Sequence, residues 1–179
     1  ESFTVPKDTT VKNNGTIVVG SDRNTDVELT FADGAVLKNG TVEVKGTLYF
    51  ENKKDNKASD IQSDVSVIGE KDARYTNLFT ALNNAKAGDT VTVDRDTVEL
   101  KKSITIKEGV TLDVPNSKTL RVFAGVTITV NGTLKVAEKI ETGTYDKSET
   151  EKGLPVQFAL AADKLTGKAA IVVSGVFMS

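Results

Sequence analysis

Cysteine, histidine and tryptophan are all absent from this chain of 179 residues, and proline occurs only three times. Without cysteine the chain forms no disulfide and has no thiolate chemistry. Without histidine it lacks the commonest general base and metal ligand. Aromatic residues make up only 6% of the sequence, which leaves few rings for stacking on a sugar. No apolar run approaches the roughly 18–20 residues of a membrane-spanning helix.

Charge is nearly balanced along the chain, with a formal net charge of −2 and an isoelectric point near 5.3. No basic block offers a footprint for nucleic-acid phosphates, so we expect no nucleic-acid partner. The chain opens on Glu1-Ser2-Phe3 rather than on methionine, which we interpret as the start of a processed chain. Together with the abundance of Thr and Val, this opening favours a secreted or cell-surface protein of a prokaryote.

The sequence does contain a repeated motif, which consists of a glycine, a threonine and a short predicted strand with alternating apolar residues. In three of the four full copies the glycine follows asparagine, and Asn-Gly readily takes positive φ at a turn. Repetition of turn and strand predicts a stacked β architecture. The full copies begin at Gly15, Gly40, Gly46 and Gly132, and looser versions begin at Gly88, Gly109 and Gly125.

A single amphipathic helix is predicted from Thr76 to Lys86. Its apolar residues recur at steps of three and four, which places them on one face. Gly88 ends the helix, and the next strand follows directly. The helix is expected to seal the start of a second group of strands. The apolar face consists of Tyr75, Leu78, Phe79, Leu82 and Ala85.

These patterns predict an all-β fold, with coils of a parallel β-helix or related solenoid in two lobes and one short capping α-helix. Two β-sandwich domains are the alternative, because short strands at this spacing also fit a sandwich. We expect an N-terminal β lobe over residues 1–70 and a helix-capped solenoid lobe over 71–140. Residues 141–179 then form a C-terminal extension with an apolar strand.

The junction from Thr76 to Val93, where the helix runs through Ala-Gly-Asp-Thr into a strand, resembles the entry of right-handed parallel β-helix proteins. The repeats at 108–114 and 125–134 are similar to those of prokaryotic adhesin-like and S-layer-associated surface proteins. The resemblance covers 74–137 well and 1–50 more loosely. It implies a solenoid fold and, as a class tendency, a structural role at the cell surface. The group also includes polysaccharide lyases and glycosidases, but the chain has no Arg-rich or His-containing cluster to match theirs.

Both ends of the chain are candidates for contacts between subunits. A solenoid end presents unpaired backbone, and the segment 169–178 contains no charged residue. Strand addition across a subunit boundary is one expectation, and head-to-tail contacts that do not close produce filaments. The alternative, a tail folded back inside its own domain, stays open. The predicted assembly strands contain Phe3, Val5, Ile171, Val172, Val173, Val176 and Phe177.

The expected function is therefore structural, without enzyme activity and without a cofactor. We expect the chain to assemble with itself, as a head-to-tail homopolymer, into a surface filament, a pilus or an S-layer-like array, with cell-surface glycans as further partners. One alternative is a carbohydrate-binding or polysaccharide-degrading β-helix protein. Another is a fibre or decoration module of a virus particle, which would assemble by the same physics.

Three groups of polar residues deserve a chemical interpretation. The acids of Asp94-Arg95-Asp96 could act as a glycosidase pair, although a solvated corner between strands is the favoured interpretation. Carboxylates of the loops could bind a structural Ca²⁺, but their spacing matches no known calcium loop; they belong to Asp55, Asp60, Asp64, Asp72 and Asp89. Asn14, Asn39 and Asn131 each begin an Asn-Gly-Thr sequon, so each is a candidate for glycosylation on a secreted chain.

Overall fold

The computed structural model describes residues 1–122, 126–136, 139–142, 157–160, 170–173 and 176–178. The chain forms two compact units, Glu1–Asn77 and Leu78–Ser179. Stacked parallel sheets in these units form a β-solenoid of about six turns, with one α-helix. The predicted fold class is confirmed, and the sandwich alternative is wrong because a sandwich consists of antiparallel sheets.

The first unit contains three coils of three short strands each. The first coil consists of β1 (Ser2–Val5), β2 (Thr10–Lys12) and β3 (Thr16–Val19). The second consists of β4 (Glu28–Phe31), β5 (Val36–Lys38) and β6 (Thr41–Val44). The third consists of β7 (Thr47–Phe50), β8 (Asn56–Lys57) and β9 (Asp60–Gln62). Corresponding strands pair in parallel, as the ladders β1–β4–β7, β2–β5–β8 and β3–β6–β9.

An antiparallel hairpin follows the third coil. It consists of β10 (Val65–Ile68) and β11 (Asp72–Tyr75), and β11 also pairs antiparallel with β7. The strand β10 is predicted by the sequence, whereas β11 is not. The polar composition of 51–60 predicts an exposed loop or an insertion between lobes, and the structure has a 3-10 turn (Lys53–Asp55) and the two-residue strand β8 inside this stretch. Polar side chains in this stretch find partners inside the unit, among them Asn56 with Asp72.

Alternating apolar residues fill the interior of the first unit. On β6 and β7 every second residue is buried, and the rings of Phe31 and Phe50 stack with centroids 4.7 Å apart. The turn between β5 and β6 uses Asn39 and Gly40, both at positive φ (62° and 66°). A Cβ atom at Gly40 would collide with Asn13 of the first coil. The Asn-Gly turn therefore serves both the local backbone conformation and the close stacking of coils.

The second unit begins with α1 (Leu78–Asn84) and continues with three coils. Its first coil consists of β12 (Thr90–Val93), β13 (Thr97–Leu100) and β14 (Ile104–Ile106). The second consists of β15 (Thr111–Val114), β16 (Thr119–Val122) and β17 (Thr127–Val130). The third consists of β18 (Thr133–Val136), β19 (Lys139–Thr142) and β20 (Gln157–Leu160). Two strands of a further coil follow, β21 (Ala170–Val173) and β22 (Val176–Met178).

All strand pairs within the second unit are parallel in the described residues. The ladders are β12–β15–β18–β21, β13–β16–β19–β22 and β14–β17–β20. Within the predicted C-terminal extension, the described strands thus continue the ladders of the preceding coils. The unit boundary at Asn77 lies close to the predicted boundary at residue 70, and α1 belongs to the second unit.

The helix α1 is shorter than predicted and buries Leu78, Ala81 and Leu82. Phe79, which was expected on the buried face, is instead 36% exposed. The Nζ atom of Lys102 lies 5.8 Å from the centroid of its ring, within range of a cation–π contact. Lys107 Nζ donates to Asn83 O (2.5 Å) and Ala85 O (3.2 Å). A cation at these carbonyls satisfies the C-terminal end of the helix.

Candidate functional site: the open ends of the coils

The first coil lies at the end of all three ladders of the first unit. Each of its strands, β1, β2 and β3, pairs on one side only within the described residues. The other side presents backbone N–H and C=O groups that can pair with a further strand. The first coil is therefore an edge with the geometry for strand addition.

Burial decreases toward this edge along the interior of the unit. Phe3, Leu29 and Leu48 occupy one inward column of the first ladder. Leu48 is fully buried, Leu29 is partly buried, and Phe3 is 66% exposed. In the second ladder Leu37 is fully buried whereas Val11 of the first coil is only partly buried. Two interior columns are thus exposed at the first coil, whereas Val5 and Val19 of the same coil are buried.

A second apolar side chain adds to the exposed surface of the first coil. Val18, on β3, pairs in register with Glu43 of β6 and is 51% exposed. The next coil thus places a charged residue where the first coil places an apolar one. Val18 therefore adds apolar surface to the first coil outside the interior column that contains Phe3.

The third coil of the same unit ends on a polar network instead. Asn56 stands in the inward column of Leu37, and its Nδ2 donates to Asp72 Oδ2 at 2.8 Å. Arg74 donates from Nε to Asp72 Oδ1 (2.5 Å) and from Nη2 to Asp72 Oδ2 (3.2 Å). Asp72 is only 4% exposed, and a buried carboxylate needs such partners. The hairpin pairs with β7 and this network contacts β8, so together they cover part of the third coil, whose β8 and β9 are the outermost described strands of their ladders.

The start of the second unit is also closed. Ala81 and Leu82 of α1 are buried to 0% and 1% exposure, and α1 packs on β14. Ile104 and Ile106 of β14 are buried as well. The predicted role of the helix as the seal of this lobe agrees with these contacts.

The last strands of the second unit carry apolar residues where earlier coils carry polar ones. The register pairs Val172 with Lys135 and Met178 with Glu141, and Ala159 with Thr129. The strands β20, β21 and β22 together contain no charged residue. The ladder positions of these three strands are thus apolar in both alternating sets, except at Gln157.

The residues predicted for assembly lie at these two ends, in different units. Phe3 and Val5 are in β1, which pairs with β4. Ile171, Val172 and Val173 are in β21, which pairs with β18, and Val176 and Phe177 are in β22, which pairs with β19. Each group pairs along one side with its own chain. Their pairing with another subunit stays a prediction.

The three sequons differ in their surroundings. Asn14 and Asn39 are exposed, and Asn131 is partly buried. The Oδ1 atom of Asn131 is buried without a hydrogen-bond partner in the described part of the chain. Glycosylation at any of the three stays a prediction, and the exposed side chains are the more accessible candidates.

The candidate acids for chemistry are dispersed. Asp94-Arg95-Asp96 forms the corner between β12 and β13, as the favoured interpretation expected, and Asp96 Oδ1 lies 3.0 Å from Lys118 Nζ. Asp55 Oδ2 accepts from Gly34 N at 2.8 Å. Among the described residues no group of three or more acidic side chains is placed to hold a metal ion. The described contacts therefore add no support for a structural Ca²⁺ site, which stays a prediction.

One polar depression of about 660 Å³ lies beside the loops that follow β4 and β7. Two of its acids hold the loops together, since Glu51 Oε2 accepts from Asp33 N and Asp33 Oδ1 accepts from Asn52 Nδ2, both at 3.0 Å. A hydrogen bond with Tyr49 is the main cause that raises the pKa of Lys71, a further lining residue. The two carboxylates thus have a structural task in these loops.

No family model, curated protein or solved structure matches this chain. Within the described residues, no helix is long and apolar enough to span a membrane. The geometry of the coils and their ends is therefore the basis on which a function is proposed.

Proposed function

We propose that this protein is an extracellular structural protein whose copies assemble by β-strand addition into a surface filament or S-layer-like array. One observation carries the proposal: among the described residues, the first coil leaves three strand edges unpaired and the inward residue Phe3 66% exposed. Elsewhere in the chain a hairpin, a polar network or the helix α1 lies against the end of a coil. An end left open is then a surface for a partner.

The energies favour an interface that uses several strands at once. A backbone hydrogen bond contributes about 0.5–1.5 kcal/mol net, and burial of a side chain such as Phe3 contributes about 1.5–3 kcal/mol. Association costs roughly 4–15 kcal/mol in lost freedom of the subunits. One short strand cannot offset this cost. Two or three ladders, extended together with the apolar interior, can do so.

The proposed role is that of an assembling scaffold without catalysis or a cofactor. Its outer faces carry Lys, Asp and Glu, which keep an assembled fibre soluble along its sides. The proposed location at the surface of a prokaryotic cell is supported by the Thr- and Val-rich, cysteine-free composition. An adhesive role toward cell-surface glycans would use these outer faces, which assembly leaves accessible.

The test compares the natural chain with two aspartate variants by sedimentation velocity and electron microscopy over a range of concentrations. Phe3→Asp places a charge in the interior column of the edge, where stacking would bury it without a partner. Phe79→Asp is the matched control, because it also removes an exposed phenylalanine but lies on α1 near Lys102.

We expect concentration-dependent polymers of the natural chain and of Phe79→Asp, and monomers of Phe3→Asp. A natural chain that stays monomeric at every concentration contradicts the proposal. Polymers of Phe3→Asp equal to those of the natural chain remove the first coil from the interface.

A further inference from the structure

We propose that assembly joins the first coil of one copy to the last coil of another, with β1 parallel to β21 and β2 parallel to β22. This inference rests on the proposed function and names the partner surface of the same edge, a second copy of this chain. It also fixes the direction of growth as head-to-tail.

The partner surface follows from which coil ends are closed. In the first unit the hairpin pairs with β7, and the Asn56–Asp72–Arg74 network places polar groups at the end of the third coil. In the second unit α1 covers the start of the first coil. Among the described strands that are outermost in their sheets, β1 and β2 of the first coil and β21 and β22 of the last coil have neither a hairpin, a helix nor such a network beside them.

The two open ends match in strand length and order. A strand of four residues precedes a strand of three at both ends, as β1 and β2 and as β21 and β22. The ladders that end on β21 and β22 are parallel, as are the ladders that begin with β1 and β2. A first coil laid on the last coil therefore continues both ladders without a change of strand direction.

The alternation of side chains selects one register. With Ser2 opposite Ala170, Phe3 falls opposite Ile171 and Val5 opposite Val173. Ile171 pairs with Leu134, an inward and fully buried residue, so the apolar column would run on into Phe3. A slip of one residue would move Phe3 to the outward column, because adjacent strand residues occupy opposite faces. Register and burial therefore agree only in the first arrangement.

The competing arrangement joins two first coils through a two-fold axis. It makes β1 antiparallel to its own copy and sets β2, with three residues, against β3, with four. It also leaves β21 and β22 without a partner, although these strands contain no charged residue. Such a contact is isologous and stops at a dimer. The head-to-tail arrangement covers both ends.

The third ladder is outside this proposal. It ends on β20 with three described strands, whereas the other two ladders of the second unit have four. The described part of the second unit therefore has no third strand in the coil of β21 and β22 with which β3 would pair. The contact that we infer uses two ladders and the apolar column between Ile171 and Phe3.

Site-specific disulfides test the arrangement, and the natural chain has no cysteine to interfere. Thr4→Cys and Val172→Cys are prepared as separate variants, mixed and oxidised. In the inferred register these positions face each other on neighbouring strands, about 4.8 Å apart, within the roughly 4.4–6.8 Å between Cα atoms of a disulfide. Thr30→Cys is the matched control, because Thr30 lies in the column of Thr4 but one coil further in. Ser2→Cys with Ala170→Cys is the second pair if Val172→Cys fails to fold.

We expect the mixture of Thr4→Cys and Val172→Cys to give at least a tenfold higher yield of disulfide-linked dimer than either variant alone or the mixture with Thr30→Cys. A dominant self-linked dimer of Thr4→Cys overturns the inference in favour of the two-fold contact. Sedimentation of the same samples separates the two proposals. Polymers without the cross-link overturn this register and leave the proposed function standing, whereas the absence of self-association overturns both.

Discussion

The first and third coils of the first unit share three ladders and yet end in opposite ways. At the third coil, the inward column that contains Leu37 continues with Asn56, whose amide binds the buried Asp72. At the first coil the same column ends on the apolar Val11, which is only partly buried. A hairpin extends the first ladder beyond the third coil, whereas no described element extends it beyond the first. The same repeat thus supports both a closed end and an open end.

We infer from this difference that the interior residues, rather than the repeat itself, determine where the stacking of coils stops. A further coil on Asn56 and Asp72 would need polar partners of matching geometry, because unpaired polar groups in an interior are costly. A further coil on Phe3 and Val11 needs only apolar residues and a free strand. The first coil therefore accepts a partner more readily than the third.

The largest effect expected from this comparison separates two phenylalanines of the same unit. Phe50→Ala removes a fully buried ring from its stack with Phe31 and should lower the free energy of unfolding by about 3–5 kcal/mol. Phe3→Ala should cost under about 1 kcal/mol in dilute, unassembled protein, because most of that ring is already exposed. Urea unfolding of both variants measures the difference. Equal losses would mean that the first coil is covered in solution.

A smaller loss is expected when the polar network of the third coil is broken. Asp72→Ala leaves Arg74 without its carboxylate at a site where the arginine side chain is 17% exposed. Removing one partner of a buried pair costs about 3–5 kcal/mol, and the partial exposure of Arg74 places the expected loss near the lower figure. Asp22→Ala is the control, because the side chain of Asp22 is 85% exposed in its ion pair with Lys45. Such an exposed pair contributes about 0–1 kcal/mol.

The same urea measurements decide the outcome for the network. If Asp72→Ala is no more destabilising than Asp22→Ala, the network does not stabilise the closed end. In the polymer assay, Asp72→Ala should assemble as the natural chain does, because the substitution lies at the third coil and the proposed contact uses the first coil.

Much of the fold follows from local patterns in the sequence. The repeats at Gly40 and Gly46 predict a strand directly after each glycine, and β6 (Thr41–Val44) and β7 (Thr47–Phe50) begin there, because apolar alternation and the bounding glycines act within a few positions. The edge strand that contains Phe3 and Val5 is predicted for the same reason. These features need no information from distant residues.

The closed end could not be predicted in this way. Asn56 and Asp72 are separated by 16 residues, and each lies in a polar segment that is typical of a solvated loop or a calcium ligand. The strand β11 has the sequence Asp-Ala-Arg-Tyr, in which only Ala73 and Tyr75 are apolar and the polar Asp72 is buried as well. Its burial depends on Asp72 meeting Arg74 and Asn56 in the folded unit. A polar residue that is buried by its partners gives no hydrophobic signal.

The smallest expected effect compares two glycines that both follow asparagine, Gly40 in the second coil and Gly15 in the first. Gly40→Ala forces a Cβ atom against Asn13 at φ +66°, and the left-handed backbone alone costs an L-residue roughly 1–2 kcal/mol. A Cβ atom at Gly15 meets nothing within 4 Å, so Gly15→Ala should stay within about 0.5 kcal/mol of the natural chain. Urea unfolding of the two variants provides the measurement. A large loss at Gly15 would show that the corner of the first coil is packed against a partner, since its own unit leaves that space empty.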